Sequence, residues 1–509
     1  MPLRQLPPFR RQRFAVELGG SLQVCGTMLK YLSVAALFPL AIALGYGEPV
    51  WPWLAAGAIS AGVGLGLERV PGSQERVGTR EGFLIVSLTW LLAAAFGALP
   101  YLFVGEAPLD NPIDAYFESM SGFTTTGASV LTDIEGLSHA VAMWRQFTQW
   151  IGGMGIIVLA LAVLPRLRVG GRQLLENEMP GPDHEPLTSS IRSTAQRLWL
   201  LYVGLTALQA LILSMLGWTG IDDRMSPYEA IAHAFATMPT GGFSTKAASL
   251  GAFGASSQWV VTVFMLLAGV NFALLYRAFV RRQPRAAARD QEFRAYLLLL
   301  GVASAIILVD LLGEGVLGGE AAVRHAIFQT VSMMTTTGFA SIDFALWPAL
   351  AAMALVALMF VGGSAGSTAG SIKVVRHLIV GRIIRRELDE TVHPEIVSPV
   401  RANGRLVDEP VLRAVLTFVL LYVGIFAIGA IGLVIDATRT DTSVTPFEAL
   451  AAAATTLGNV GPGFGFAGPF GSFAEFSGLS KVIMIVLMWL GRLEILPIVI
   501  LFTPRYWRR

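Results

Sequence analysis

Long apolar runs dominate the chain, and short polar segments ending in glycine interrupt them at intervals. Hydropathy predicts ten bilayer crossings, at about 31–47, 49–67, 82–104, 138–164, 198–220, 256–279, 294–313, 345–372, 411–435 and 480–503. Residues 82–105, 198–221, 247–276, 344–372 and 414–435 contain no Asp, Glu, Lys or Arg. Each of these runs is longer than the roughly 20 residues needed to span a bilayer core. Four segments between the crossings are too short or too polar to cross, at about 112–127, 227–242, 323–338 and 446–461. The predicted fold class is therefore an all-α membrane protein, and the even number of crossings puts both termini on one side.

The four short segments resemble one another. They read NPIDAYFESMSGFTTTG (111–127), SPYEAIAHAFATMPTGG (226–242), AVRHAIFQTVSMMTTTG (322–338) and TPFEALAAAATTLGNVG (445–461). Pro112, Pro227 and Pro446 follow Asn, Ser or Thr, a helix-start signal in which the cap side chain satisfies orphan amides and the ring pre-sets φ. Asp114, Glu229 and Glu448 place an acid in the first turn, where the helix dipole favours it. Alanine follows in all four, at Ala115, Ala230, Ala326 and Ala449, while the third copy has Val323 and His325 in place of proline and acid. About twelve helical residues span about 18 Å, roughly half a bilayer. The chain must then return to the side it came from, so each unit reads span, half-helix, extended return, span. Extended backbone at membrane depth is tolerated only when buried in protein or lining a watery cavity. Four such units grouped round one axis form a pore, preceded by two extra transmembrane helices.

The residue types suit a monovalent cation. Glycine permits backbone conformations that aim successive carbonyls at a central ion. Rings of carbonyls can replace a hydration shell, as in potassium-channel filters. Half-helix C-termini carry partial negative charge, which adds to the attraction. The returns hold no charged residue at the filter itself, whereas a divalent-selective pore would show an acidic ring.

Composition and charge sharpen this picture. Charged residues make up only 14% of the 509 and apolar residues 54%, too little polar surface for a soluble protein. Cys25 is the single cysteine, which excludes an intrachain disulfide framework and a cysteine-rich metal site. A basic start (Arg4, Arg10, Arg11, Arg13) before an apolar run partly matches a signal peptide. A second apolar run follows at once without a small-residue cleavage site, so retained helices are the better reading. Placing the N-terminus inside leaves all but seven of the 37 basic residues on the cytoplasmic side, in clusters at 69–80, 166–197, 277–294, 373–413 and 505–509. Arg224, Lys246, Arg324, Arg439 and Lys481 fall outside, and Arg145 and Arg492 lie within apolar segments. This distribution obeys the positive-inside rule. The net charge of +2 thus conceals a sided molecule. Its outer face carries Asp110, Asp114, Asp222, Asp223, Glu229, Asp436, Asp441 and Glu448, acids expected to concentrate cations at a pore mouth.

On the motifs SMSGFTTTGAS (119–129), TMPTGGFST (237–245), MMTTTGF (333–339) and TLGNVGPGFG (456–465), the chain resembles the Trk/Ktr/HKT superfamily of potassium transporters. The likeness runs from about residue 27 to 503 and is strongest to the TrkH-type bacterial branch, which shares the two extra N-terminal helices. The resemblance implies filter glycines at Gly127, Gly242, Gly338 and Gly461. It also implies potassium contacts from Thr125, Thr126, Thr240, Gly241, Thr336, Thr337, Asn459 and Val460. Members with glycine in all four repeats are usually potassium-selective, while some plant relatives with serine in the first favour sodium. By the same resemblance, the protein lies in the bacterial cytoplasmic membrane with both termini inside. It forms a homodimer on a separate cytosolic Trk-type ring that binds NAD or ATP. The basic loops at 277–294 and 376–405 could dock that ring, or simply obey positive-inside orientation and meet anionic lipid. The expected units are residues 1–70 (tail and extra helices), 71–170, 171–285, 286–390 and 391–509 (four pore repeats).

The sequence FVGGSAGSTAGSIK (360–373) admits three readings. Gly362, Gly366 and Gly370 are spaced by four, as in a helix-packing ridge. Gly362, Gly363, Ser364, Ala365 and Gly366 match the hydrolase pattern G-x-S-x-G, which lacks a strand context or a histidine partner here. By resemblance the stretch is a broken helix whose flexible loop, including Ser367 and Thr368, gates the pore below the filter. Arg492 interrupts the last span and, by resemblance, brakes cations electrostatically; a buried ion pair elsewhere, with Asp310 as the candidate partner, is the competing reading. Lys373 reads as an interfacial anchor, and His233 and His325 as packing residues. A sodium or weakly selective pathway, or an ion-coupled secondary transporter, remains the alternative function. The Thr240-Gly241-Gly242 and Asn459-Val460-Gly461 returns differ from the TTTG pair, so the filter is not fourfold-identical.

Overall fold

The computed structural model describes residues 16–72, 78–162, 187–396 and 398–508. The N-terminal basic cluster, much of the 166–197 cluster and the expected 170/171 boundary therefore lie outside the described residues. A helical hairpin opens the described fold: Leu18–Ala35 continues through Ala36 into Leu37–Tyr46, and Trp51–Glu68 returns. The helix begins well before the hydropathy run at 31. Its two arms meet backbone to backbone where Gly26 faces Gly64, an approach that any side chain would block. Lys30 pairs with Glu68 at 2.6 Å across the same hairpin.

The chain then runs four times through helix, short helix, extended return and helix. The leading helices are Thr79–Val104, Leu187–Trp218, Gln291–Gly313 and Glu409–Thr440. The short helices are Pro112–Phe123, Pro227–Thr237, Gly319–Met334 and Pro446–Gly458. The closing helices are His139–Ala162, Ala255–Ala268, Ala349–Leu358 and Gly478–Arg492. Among the described residues, five helices are individually long and apolar enough to cross a membrane: Leu18–Tyr46, Thr79–Val104, Ser193–Trp218, Gln291–Gly313 and Glu409–Thr440. They expose large apolar side chains such as Leu298, Val309, Leu420 and Ile428, which fits a lipid-facing surface. The short helices are buried instead: every residue from Phe117 to Phe123 is enclosed.

Three short helices start as their caps predict. Asn111 accepts from the Ile113 amide, Ser226 from Glu229, and Thr445 from Glu448, whose carboxylate returns the bond to the Thr445 amide at 2.8 Å. The third departs from expectation. It begins at Gly319, three residues before the aligned segment, and Glu320 supplies the first-turn acid that position 325 lacks. The acids expected on the outer face act mostly as caps and clamps. Asp222 holds the Gly254 amide and the Ser257 hydroxyl, Asp436 holds Ser480, and Asp114 pairs with Lys481 at 2.5 Å.

Three closing helices break where hydropathy predicts unbroken or singly broken spans. The expected 256–279 crossing turns by 105° between Ala268 and Phe272, because Asn271 caps a new helix by accepting from the Ala273 and Leu274 amides. The 345–372 crossing stops at Leu358, and helix resumes only at Val374–Val392. The 480–503 crossing breaks after Arg492, where Glu494 and Ile495 take positive φ, before the short helix Leu496–Leu501. Among the described residues the named strands form one two-stranded ribbon, Arg401–Ala402 against Arg405–Leu406, turned by Asn403-Gly404. Asp310 caps the Ala351 amide at 2.9 Å and is not the partner of Arg492.

Thr445→Ala removes the side-chain half of one reciprocal cap, the hydroxyl that accepts from the Glu448 amide, and leaves the Thr445 amide bonded to the Glu448 carboxylate. It is expected to cost about 1 kcal/mol of stability, seen as a lower unfolding midpoint for the purified protein in detergent. An unchanged midpoint would show that burial alone holds that helix end.

Candidate functional site

Each short helix ends in the same backbone figure. In the first unit the Thr125 amide bonds back to Gly122 at 2.9 Å and the Thr126 amide to Ser121 at 2.8 Å. The same pair recurs as Thr240 to Thr237 and Gly241 to Ala236, as Thr336 to Met333 and Thr337 to Ser332, and as Asn459 to Thr456 and Val460 to Thr455. The first residue of each return is left-handed: Thr125, Thr240, Thr336 and Asn459 have φ between 52° and 57°. The glycine two residues on is left-handed again, with φ of 85°, 78°, 80° and 116° at Gly127, Gly242, Gly338 and Gly461. Alternating the sign of φ turns successive carbonyls toward one side, and only glycine takes the second position without strain.

The four returns form a closed ring. A Cβ built on Gly127 would run into the Gly241 carbonyl, on Gly242 into that of Thr337, on Gly338 into that of Val460, and on Gly461 into that of Thr126. Each return thus abuts the next, and the fourth abuts the first. The amides are spent on the helix ends. Among the described residues, no group donates to the carbonyls of Thr125, Thr126, Gly127, Thr240, Gly242, Thr336, Thr337, Gly338, Asn459, Val460 or Gly461. Thr125, Thr126, Thr240, Thr336, Thr337, Asn459 and Val460 are all buried. A ring of buried, undonated carbonyls suits a desolvated cation.

Gly241 is the exception. Gln149 Nε2 donates to its carbonyl at 2.7 Å, and Gln149 Oε1 accepts from the Phe243 amide at 3.1 Å. Around the ring the side chains also differ. Thr124 and Thr126 share a hydroxyl contact of 2.7 Å, repeated by Thr335 and Thr337, while Asn459 Nδ2 donates to Thr126 Oγ1 and to the Met488 carbonyl, both at 2.9 Å.

Beneath the ring, on the side of the short-helix C-termini, lies the non-helical stretch between Leu358 and Val374. The Thr368 hydroxyl donates to Met238 at the end of the second short helix, the Gly370 amide to Thr336 Oγ1 at 2.7 Å, and Gly370 abuts the Gly458 carbonyl. The stretch also fits into the break of the preceding unit: the Ser364 amide donates to Gly269 at 2.8 Å and the Phe272 amide to Gly366 at 3.1 Å. Gly362 bonds across to Ile372 at 2.9 Å, and Ser367 turns back to Ser364. Gly362, Gly366 and Gly370 are therefore not a helix ridge, and Ser364 sits in a loop rather than on a strand-to-helix elbow.

Cations gather under this stretch. Arg492 is buried and donates Nη1 to the Thr368 carbonyl at 2.9 Å, while its Nε and Nη2 find no protein partner among the described residues. Glu494 does not serve it, because Glu494 pairs with Arg376, whose guanidinium lies 3.9 Å over the Phe418 ring. Lys373 is buried and donates to the Ala369 carbonyl, so it is not an interfacial anchor. Sequence reasoning missed Glu292, which accepts from the Ala365 amide at 2.7 Å and the Val375 amide at 3.0 Å and so ties the middle of the stretch to the start of the helix that follows it. It also missed Gln149 and Asn271; an Asn inside the apolar run AGVNF was the available signal for the latter.

Comparison with known proteins agrees with this geometry. The TrkH family of cation transport proteins matches residues 57–509. The chain is 40% identical over 433 residues to the Trk system potassium uptake protein TrkH of Escherichia coli strain K12, covering 84% of this chain and 86% of that one. It is 38% identical over 493 residues to TrkH of Halomonas elongata, covering 96% and 99%. The crystal structure of the potassium transporter TrkH from Vibrio parahaemolyticus superposes with a TM-score of 0.86 at 34% identity, over 97% of this chain and 100% of that one.

Glu292→Ala is expected to speed amide hydrogen exchange at Ala365 and Val375 in the purified protein while leaving the short-helix ends protected. Equal exchange rates would mean that the remaining bonds hold the stretch unaided.

Proposed function

Because this chain belongs to the TrkH family of cation transport proteins and is a transporter rather than an enzyme, we propose that it carries potassium into the cell across the cytoplasmic membrane. The single observation that carries this reading is the closed ring of four glycine-ended returns with its buried, undonated carbonyls. In the proposal, the four tandem units surround one central pore. Thr125, Thr126 and Gly127 of the first return, Thr240 and Gly242 of the second, Thr336, Thr337 and Gly338 of the third, and Asn459, Val460 and Gly461 of the fourth replace the water shell of potassium. Gly241 shapes the second return while its carbonyl is shared with Gln149.

Four half-helix C-termini converge below the ring, and their partial negative charge favours a dehydrated cation there. Gly362, Gly363, Ser364, Gly366, Ser367, Thr368 and Gly370 form the gate, which closes the path by crossing it under those helix ends. Arg492 adds a fixed positive charge at the same level. An Arg with two unpartnered nitrogens is held there by carbonyl dipoles and repels a passing cation until the loop moves. Support for this placement comes from the bond between Arg492 and Thr368 on the gate itself.

Both termini lie in the cytoplasm in this reading, as the basic loops require. A homodimer seated on a cytosolic nucleotide-binding ring would regulate the gate, with NAD or ATP bound by the ring and not by this chain. The helices Tyr276–Val280 and Pro284–Arg289 and the Arg401–Leu406 ribbon offer the surface for it, and Asn403 already ties the ribbon to Asp290 and Gln291, next to Glu292.

Purified protein in vesicles is expected to pass potassium and rubidium readily and sodium poorly; equal sodium flux would overturn potassium selectivity in favour of a weakly selective pathway. Gly127→Ser places a Cβ against the Gly241 carbonyl at a left-handed φ, so selectivity should fall several-fold with expression retained. Arg492→Ala should leave potassium flux intact or raise it. Abolished flux in a folded variant would sink the brake.

A further inference from the structure

Behind the ring, each short helix carries a characteristic residue nine positions before its filter glycine: Glu118, His233, Gln329 and Ala452. The first three reach the same target, a serine on the limb that leads outward from the ring. Glu118 accepts from the Ser129 hydroxyl and the Val130 amide, both at 3.0 Å. His233 Nε2 lies 2.9 Å from the Ser244 hydroxyl, and Gln329 Nε2 donates to the Ser341 hydroxyl at 3.2 Å. All three are fully buried. The serine stands two residues past the glycine in the first two units and three past it in the third. A polar side chain at one register, facing one target in three units, is a repeated design that hydropathy cannot require.

Arg145 joins the first two of these braces. Its Nε donates to Glu118 at 2.8 Å, its Nη2 lies 3.3 Å from Ser129 Oγ, and its Nη1 donates to the Ser244 carbonyl at 3.1 Å. The guanidinium also stacks 4.3 Å from the Phe243 ring. Ser244 is thus gripped twice, at its carbonyl by Arg145 and at its hydroxyl by His233. One turn along the same helix, Gln149 grips Gly241 and Phe243. The fourth unit has Ala452 at this register and no such brace.

We propose that Glu118, Arg145 and His233 form one continuous polar brace that sets the position of the first and second returns, and through it the discrimination of potassium from sodium. They are positioning residues, since none of them reaches the ring. The physical reason is stiffness. A carbonyl ring discriminates between ions of different size only as far as its limbs resist closing on the smaller one, and a buried charge-assisted network resists displacement more than apolar contact does. A buried ion pair is a weak contributor to stability, so its retention beside an uncharged filter is better explained by geometry than by folding.

The inference rests on the filter reading, and vesicle flux with rubidium and sodium tests both. Removing one partner would strand a buried charge, so the pair is replaced together. Glu118→Leu with Arg145→Met keeps volume without charge and is expected to fold, as judged by an unaltered elution profile and unfolding midpoint. Its rubidium-to-sodium flux ratio should fall at least several-fold. His233→Ala should lower the ratio too, while His233→Gln, which borrows the side chain of the third unit, should restore most of it. If the paired variant does not fold, the two His233 variants decide. If the ratio stays at wild type in all of them while Gly127→Ser lowers it, the brace is merely structural and the proposal fails. If Gly127→Ser also leaves the ratio untouched, the filter reading itself has failed.

Discussion

Hydrocarbon offers no partner to a bare peptide group, and that constraint organises the molecule. A chain that enters a bilayer as a helix and leaves it extended abandons hydrogen bonds on the way out, each costing several kcal/mol if unmet. Here the debt is settled on one side only. The amides of each return fold back on the helix just completed, by bonds that recur in all four units. Their carbonyls, that of Gly241 apart, are left over among the described residues, grouped and buried. In the proposed function a cation entering the ring supplies what the fold withholds, and its affinity is the remainder of an unfinished hydrogen-bond ledger. The glycines follow from the same constraint: left-handed φ is needed to aim the carbonyls, and the neighbouring return lies where a side chain would stand.

The breaks in the closing helices obey it too. A stretch such as 359–373 can lie non-helical at membrane depth only if another element feeds its polar groups. The second unit does this by breaking in turn, so that Gly269 and Phe272 exchange bonds with Ser364 and Gly366. Each break satisfies the other. Glu292, Thr336 and Arg492 complete the set from three other elements. A loop held by partners on several elements feels the movement of each of them, as the proposed gate requires, whereas a loop held by its own turns would not.

Much of this was legible in the residues and some was not. Three of the four short helices could be read because their start signals are local: a cap, a proline, an acid within four positions. The third lacked those signals, and its true start at Gly319 fell outside the aligned window. Breaks within the second and fourth closing helices were hidden because hydropathy averages over them; Asn271 stands alone in one long apolar run, and Glu494 stands with only Arg492 in the other. Arg492 was visible as an intramembrane charge, but its partner was not, since Thr368 lies 124 residues away. Lys373 looked interfacial because it ends an apolar run, and it is buried only because the run turns inward. The sequence alone reads His233 and His325 as packing residues, whereas they hydrogen-bond Ser244 and Ser341, just past the second and third return glycines.

Four units of one chain need not match as four identical subunits must, and the ring shows where divergence is tolerated. Toward the axis almost nothing varies: the left-handed pair and the backbone bonds recur, because a Cβ on any of the four glycines meets a neighbour's carbonyl. Behind the axis nearly everything varies. One register holds a carboxylate, an imidazole, an amide and a methyl group, and the return itself reads TTG, TGG, TTG or NVG. The split follows from what each face touches. The inner face touches backbone, which permits one solution, while the outer face touches side chains, which can co-vary with their partners. Asn459 illustrates this freedom, since it crosses to Thr126 and Met488 and ties the fourth return to the first where Ala452 offers no brace. Unequal supports holding equal carbonyls let each limb differ in stiffness, so the support residues, and not the glycines, are where one such ring can be tuned to differ from another.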